Sequence, residues 1–130
     1  MIRLKNVTKT YKPKVHALRD VSLHVKPGEF ISIVGRSGSG KTTLVKMLFA
    51  EESPTRGKVV IGDWDISGIR RADIPGLRRQ IGVVYQDFKL LPRKTVHENV
   101  AFALEVAGER TGRIKKIVPQ VLKIVGLANK

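Results

Sequence analysis

The stretch Phe30-Ile31-Ser32-Ile33-Val34-Gly35-Arg36-Ser37-Gly38-Ser39-Gly40-Lys41-Thr42-Thr43-Leu44-Val45-Lys46-Met47-Leu48-Phe49-Ala50 decides the fold class. Its first five residues are almost continuously apolar, the pattern of a strand buried on both faces of a parallel sheet. From Lys41 onward, Leu44, Val45, Leu48 and Phe49 fall on one stripe at helical spacing, which predicts a helix over Lys41–Ala50. Between strand and helix, Gly35–Thr42 fits G-x-x-x-x-G-K-[ST] at every position. Strand, glycine-rich loop and helix in that order are the setting of a phosphate-binding P-loop, hence of an α/β fold. The alternative, a flexible Gly/Ser surface loop, does not account for the apolar segments on both sides.

The residue types follow from the chemistry of holding phosphate. Gly35, Gly38 and Gly40 let the backbone curl so that successive N–H groups of Arg36, Ser37, Ser39 and their neighbours point inward at phosphate oxygens. The helix beginning at Lys41 adds further N–H groups and its positive dipole end. Lys41 can reach the β- and γ-phosphates as a point charge. The Thr42 hydroxyl can ligate a Mg²⁺ ion that bridges phosphate oxygens, and Thr43 is placed to bond another oxygen.

Outward from this stretch, Ile2–Thr10 and Ala17–Val25 read as strands by their alternation, separated by the break Tyr11-Lys12-Pro13-Lys14. Lys26-Pro27-Gly28-Glu29 has Pro and Gly at the two central positions of a type II turn. Lys58–Ile61 is a strand ended by Gly62-Asp63, Asp73–Gln80 a short helix with Pro75 in its first turn, and Ile81–Tyr85 another strand. Thr95-Val96-His97-Glu98 has the form of a capping box opening a helix that runs to about Ala107. Ile114–Val125 has helical spacing, with Pro119 expected to kink or restart it and Gly126 to stop it.

Composition narrows the class. The 130 residues suffice for one domain with a core. There is no cysteine, so disulfides and thiolate metal sites are excluded; no apolar run approaches the length of a membrane span, and Met1-Ile2-Arg3-Leu4 opens no signal peptide. The chain reads as intracellular. Twenty-five Lys and Arg against 11 Asp and Glu give a formal charge of +14, which favours anionic partners or is simply a soluble basic surface. The seven aromatics are not interleaved with the basic residues, so no base-stacking platform for nucleic acid is expected. Arg70, Arg71, Arg78 and Arg79 read as a solvated face, and Trp64 as packing or exposed loop. His16, His24 and His97 lack ligand spacing, and no metal role is expected of them.

A P-loop alone does not separate ATPases, GTPases and small-molecule kinases. Tyr11 after the first strand and Gln86 at the end of Ile81–Tyr85, together with Gly35–Thr42, make the chain resemble the nucleotide-binding domain of ABC transporters from Ile2 to Lys130. Leu77–Leu91 and Thr95–Leu104 are similar to the cell-division, FtsE-type branch; lipoprotein-release, macrolide and methionine transporters share much of both. The resemblance implies a P-loop NTPase fold with a mixed, largely parallel sheet and an antiparallel N-terminal β-subdomain. It implies that Tyr11 stacks on adenine and that Gln86 approaches Mg²⁺ and the attacking water. ATP and Mg²⁺ are the implied ligands, with Lys41 and Gln86 as catalytic-site residues and Thr42 and Gln86 on the metal. It further implies head-to-tail pairing of two domains and a peripheral place on the cytoplasmic face of the membrane, held by an FtsX-like integral-membrane permease.

The family pattern also has a signature of the L-S-G-G-Q type, an apolar strand ending in Asp-Glu, and a later switch histidine. Residues 87–130 contain none of the three. The expectation is that 1–130 is the N-terminal portion of one ATPase domain, incomplete as it stands, binding ATP without turning it over. Phe30–Val34 and Ile81–Tyr85 are then expected to be partly unpaired and exposed. A basic nucleic-acid-binding module without enzyme activity is the alternative of a different class.

Overall fold

The computed structural model describes Met1–Lys130. The chain divides into two compact units, Met1–Ile81 and Gly82–Lys130.

The first unit is built on strands β1 (Ile2–Tyr11), β2 (Val15–Val25), β3 (Arg56–Ile61) and β4 (Trp64–Asp65), all antiparallel and ordered β2-β1-β3-β4. The register pairs Leu4 with Leu23 and Val59, and Val7 with Val21. One face therefore carries the apolar members of each strand, as period-two alternation requires. Helix α1 (Lys41–Leu48) lays Leu44 and Met47 on that face, completing a core with Leu4, Val7, Leu18, Val59, Ile66 and Leu77. Each large side chain fully buried there contributes about 1.5–3 kcal/mol.

Two irregularities bend the β1–β2 ribbon, and both fall on residue types that tolerate left-handed backbone. Asn6 and Asp20 each have φ 49°, where the register shifts. Their exposed groups are satisfied locally: Asn6 Nδ2 donates to Asp20 Oδ1 at 2.9 Å, Asn6 N to Ser22 Oγ at 3.0 Å and Asp20 N to Thr8 Oγ1 at 3.1 Å. The Lys26–Glu29 turn forms as expected, with Gly28 at φ 74° and Glu29 N donating to Lys26 O.

Helix α1 ends two residues earlier than its apolar pattern runs. Ala50 takes φ 51°, its N–H donates to Met47 O, and Glu51 N–H donates to Lys46 O, the paired bonds of a Schellman stop. Glycine is the usual residue at that left-handed position, so alanine hid the stop. Helix α2 (Ile74–Arg79) carries Pro75 in its first turn. The arginines are more than a solvated face: Arg78 Nε donates to Phe49 O at the end of α1, and Arg70 pairs with Asp73 at 2.7 Å. Trp64 packs over Gly76 and donates from Nε1 to Gln80 Oε1 at 3.1 Å.

The second unit contains helices α3 (Val96–Val106) and α4 (Thr111–Ile124), packed through Ala101, Ile114, Val118 and Leu122. Pro119 neither breaks nor restarts α4, which is one helix through it. Pro119 and Lys115, whose carbonyl loses its helical partner, are both exposed, so water can take the orphaned acceptor while Val118 and Leu122 anchor the turns on either side. Gly126, at φ 73°, ends the helix as expected.

The capping box at α3 is complete: Thr95 Oγ1 accepts from Glu98 N at 3.2 Å, and Glu98 Oε2 from Thr95 N at 2.7 Å. The Thr95 backbone N–H foremost, then Lys94, lowers the Glu98 carboxyl to about 2. A carboxyl depressed in the folded state stabilises above its unfolded pKa, here about 4.5, and loses that contribution as pH falls toward about 2. Thr95→Ala should destabilise α3 by about 1 kcal/mol. Far-UV circular dichroism should show loss of α3 helix as the parent is acidified toward pH 2, loss that Glu98→Ala already shows at neutral pH.

Two expected strands do not form. Phe30–Val34 and Ile81–Tyr85 take no regular secondary structure and pair with no strand, and Phe30, Val34 and Val84 are 92%, 86% and 94% exposed. A strand exists only by exchanging backbone hydrogen bonds with a neighbour. Every strand that does form is spent on the antiparallel sheet. Both runs thus present unpaired backbone and apolar side chains, the condition that favours aggregation.

Candidate nucleotide-binding site

Three elements of the first unit converge on one cleft of ≈ 550 Å³: the end of β1 with Tyr11, the start of β2 with Val15, His16 and Ala17, and the P-loop running into α1. Ser37, Gly38, Gly40, Lys41, Thr42 and Thr43 supply its P-loop wall. No carboxylate lines it; the polar groups are backbone amides, hydroxyls, an imidazole and an ammonium. That donor set suits an oxyanion and repels none of its charge.

The loop is shaped by two glycines in the left-handed region, Gly38 at φ 77° and Gly40 at φ 91°. Gly40 also lies against β2 so closely that a Cβ there would sit 2.2 Å from Ala17 O. This contact seats the loop on the sheet. Gly40 is the N-cap of α1, and no side chain caps it, so the first-turn N–H groups keep their donors for another acceptor. Lys41 Nζ folds back into the curl, donating to Gly35 O and Arg36 O, each at 2.8 Å. The ammonium is thereby held by the loop's own carbonyls. A Cβ on Gly35 would meet Ser39 Oγ at 2.6 Å, so the loop's two ends are also in contact.

The residues present fit a Mg²⁺-nucleotide. No cluster of three or more His, Cys, Asp or Glu side chains could hold a metal by itself. A divalent cation at this site would be carried by phosphate oxygens and the exposed Thr42 hydroxyl, the sparing protein ligation that Mg²⁺ favours.

Of the residues singled out from sequence, the structure brings together Tyr11, Gly38, Gly40, Ser37, Lys41, Thr42 and Thr43 on one cleft, with Gly35, Arg36 and Ser39 completing the loop behind it. Gln86 belongs to the second unit, exposed in the turn 86–89. Sequence reading missed the opposite wall, Val15–Ala17, and the hydrogen bond of 2.9 Å between Thr10 Oγ1 and His16 Nδ1 beside it. The signal was there in part. Two strands joined across Lys12-Pro13-Lys14 bring Tyr11 opposite Val15, as the register has it.

Comparison with known proteins agrees with this construction. The profile of the ABC transporter family matches residues 18–130. The cell division ATP-binding protein FtsE of Bacillus subtilis is 52% identical over 130 residues, all of this chain and 57% of that protein. The methionine import ATP-binding protein MetN of Helicobacter pylori is 38% identical, again over the whole of this chain but 40% of its own length. Among solved structures, the dimeric post-hydrolysis state of the ATP-binding cassette MJ0796 bound to ADP and Pi superimposes with a TM-score of 0.84 at 36% identity, covering 97% of this chain and 57% of that one. The chain thus spans somewhat more than half the length of its cell-division relative. With the profile matched over most of the chain, the P-loop and α1 included, the chain belongs to the ABC transporter family.

Proposed function

We propose that this chain is the nucleotide-binding part of an ABC-type ATPase of the cell-division kind, binding Mg·ATP through Gly35–Thr42 and passing the bound state to a membrane permease resembling FtsX. The observation that carries the reading is the uncapped start of α1 behind a positive-φ curl, with the Lys41 ammonium already inside it. The backbone amides of residues 36–42 would hold the β- and γ-phosphates, Lys41 would neutralise them and Thr43 would bond one more oxygen. Thr42 and Gln86 are assigned to Mg²⁺, which when bound screens the phosphate charge. Tyr11, at the cleft's edge, is assigned to the adenine ring.

The higher identity to the cell-division protein than to the methionine importer, 52% against 38%, supports that branch. Residues 1–130 are read as the N-terminal portion of a single ATPase domain that pairs with a second copy in the intact protein. No helix is long and apolar enough to cross a membrane. Attachment at the cytoplasmic face is assigned to the permease, with Gln86 in the coupling loop. Hydrolysis is assigned to the whole domain, because residues 87–130 contain neither a signature of the L-S-G-G-Q type nor an apolar strand ending in Asp-Glu.

Calorimetric titration with Mg·ATP tests the reading. One site is expected, weakened when Mg²⁺ is chelated, with phosphate release at background. No binding by folded protein would overturn the P-loop assignment, and robust hydrolysis would show that the base lies within 1–130.

A further inference from the structure

Beside the cleft, but outside its lining, a small charged assembly surrounds Tyr11. Lys9 and Tyr11 are two residues apart on β1, hence on the same side of the strand, and Lys9 Nζ lies over the Tyr11 ring, 5.1 Å from its centroid. That ammonium is held on two further sides, by Glu52 at 2.5 Å and by Ser53 O at 2.8 Å. The Lys9 side chain is only 13% exposed and that of Glu52 25%. Glu52 is where it is because of the Schellman stop of α1, which turns the chain back toward β1. Thr55 fastens the same turn, donating from N to Thr8 O at 2.9 Å and accepting from Thr10 N at 3.0 Å. The Glu52 carboxyl is held below its ordinary value, first by its hydrogen bond with Lys9.

The arrangement does something a lone tyrosine cannot. One face of the ring is occupied by a fixed cation, while the ring itself lines the cleft. Lys9 and Glu52 do not line it. With that face taken by the ammonium, a base stacking on the ring would use the other. We propose that Lys9 and Glu52 are positioning residues that hold Tyr11 as a one-sided stacking platform for the nucleotide base. The inference rests on the assignment of Tyr11 to adenine, and it adds that affinity for the base is set from β1 and the C-terminal turn of α1. The helix that receives phosphate at its start also braces the base contact at its end.

The test separates base from phosphate by titrating the full 130-residue chain with Mg·ATP and with inorganic tripolyphosphate. Lys9→Met, which keeps an apolar stem but removes the cation, should weaken Mg·ATP about 3- to 10-fold, the range of an ordinary to partly desolvated cation–π contact. Glu52→Gln should weaken it less. Both should leave tripolyphosphate within about two-fold, and Lys9→Arg should recover most of the lost ATP affinity. Adding Lys9→Met to Tyr11→Ala should cost little more than Tyr11→Ala alone, since Lys9 acts through the ring. Trp64, the single tryptophan, reports by fluorescence that each variant's first unit is folded. Equal losses for ATP and tripolyphosphate would reduce Lys9 to a structural role, and wild-type ATP affinity in Lys9→Met would overturn the proposal while leaving Tyr11 standing. Wild-type affinity in Tyr11→Ala would overturn the stacking assignment and this proposal together.

Discussion

Replacing Lys41 by methionine should raise the dissociation constant for Mg·ATP by on the order of 100-fold, the worth of a charge-assisted hydrogen bond to phosphate plus the loss of a compact positive charge. The geometry explains why so much rests on one side chain. Its ammonium donates to Gly35 O and Arg36 O at 2.8 Å each and has Ser39 Oγ at 3.5 Å. Lys41 therefore braces the loop it serves, and its loss both removes a charge and loosens the curl that aims the backbone amides. Lys41→Arg should not rescue. The guanidinium is a planar fork that cannot bond two carbonyls at the centre of so tight a loop as an ammonium does. Isothermal titration with ATP and ADP reads the effect. Because the bonds replaced are at the surface, unfolding monitored through Trp64 should change little, so that weak binding cannot be mistaken for loss of structure. Equal affinity in the parent and in Lys41→Met would remove the P-loop from the account.

The second large effect is expected at Gly40. A left-handed φ costs a residue with a side chain about 1–3 kcal/mol. At Gly40 the added methyl would in addition sit 2.2 Å from Ala17 O and 2.8 Å from Leu18 Cδ2, one of them backbone that cannot swing aside. Gly38 provides the comparison within the same loop, for its φ of 77° is equally left-handed but a Cβ there meets nothing within 4 Å. Gly38→Ala should therefore show the conformational cost alone, and Gly40→Ala that cost plus the clash, typically another 1–3 kcal/mol. Urea unfolding followed at Trp64 gives the stability difference, and calorimetry should find nucleotide binding nearly abolished in Gly40→Ala, since the loop must lift off β2. Matching stabilities for the two variants would mean that the loop is not seated on the sheet as described.

Much of this molecule is legible in the sequence because its signals are local. The P-loop, the turn at Pro27-Gly28, the capping box Thr95–Glu98 and the stop at Gly126 each depend on backbone angles and hydrogen bonds within a few residues, and each forms as read. The strands β1 and β2 were legible for a similar reason, from the alternation on either side of Lys12-Pro13-Lys14, whereas their antiparallel pairing was implied only by the family resemblance. Where a local rule has a usual residue and the chain uses another, the reading slipped: Ala50 does the work of a glycine, and α1 is shorter than its apolar stripe.

What the residues alone did not decide are the features that depend on distant partners. Phe30–Val34 and Ile81–Tyr85 have strand composition, but a strand's hydrogen bonds belong to its neighbours, and none is present to receive them. Pro119 looks like a helix break, yet the burial of Val118 and Leu122 against α3 outweighs one lost backbone bond. Arg78 reads as solvent-facing until α2 brings it to Phe49 O, 29 residues away in sequence. Within the site, composition and spacing determined which groups are gathered: a glycine curl, a lysine and neighbouring hydroxyls. Tertiary structure alone decided the company those residues keep: the β2 wall against Gly40, made by groups 22 and 23 positions away, and Glu52 on Lys9 beside Tyr11, 43 positions from Lys9, meetings that no local periodicity encodes.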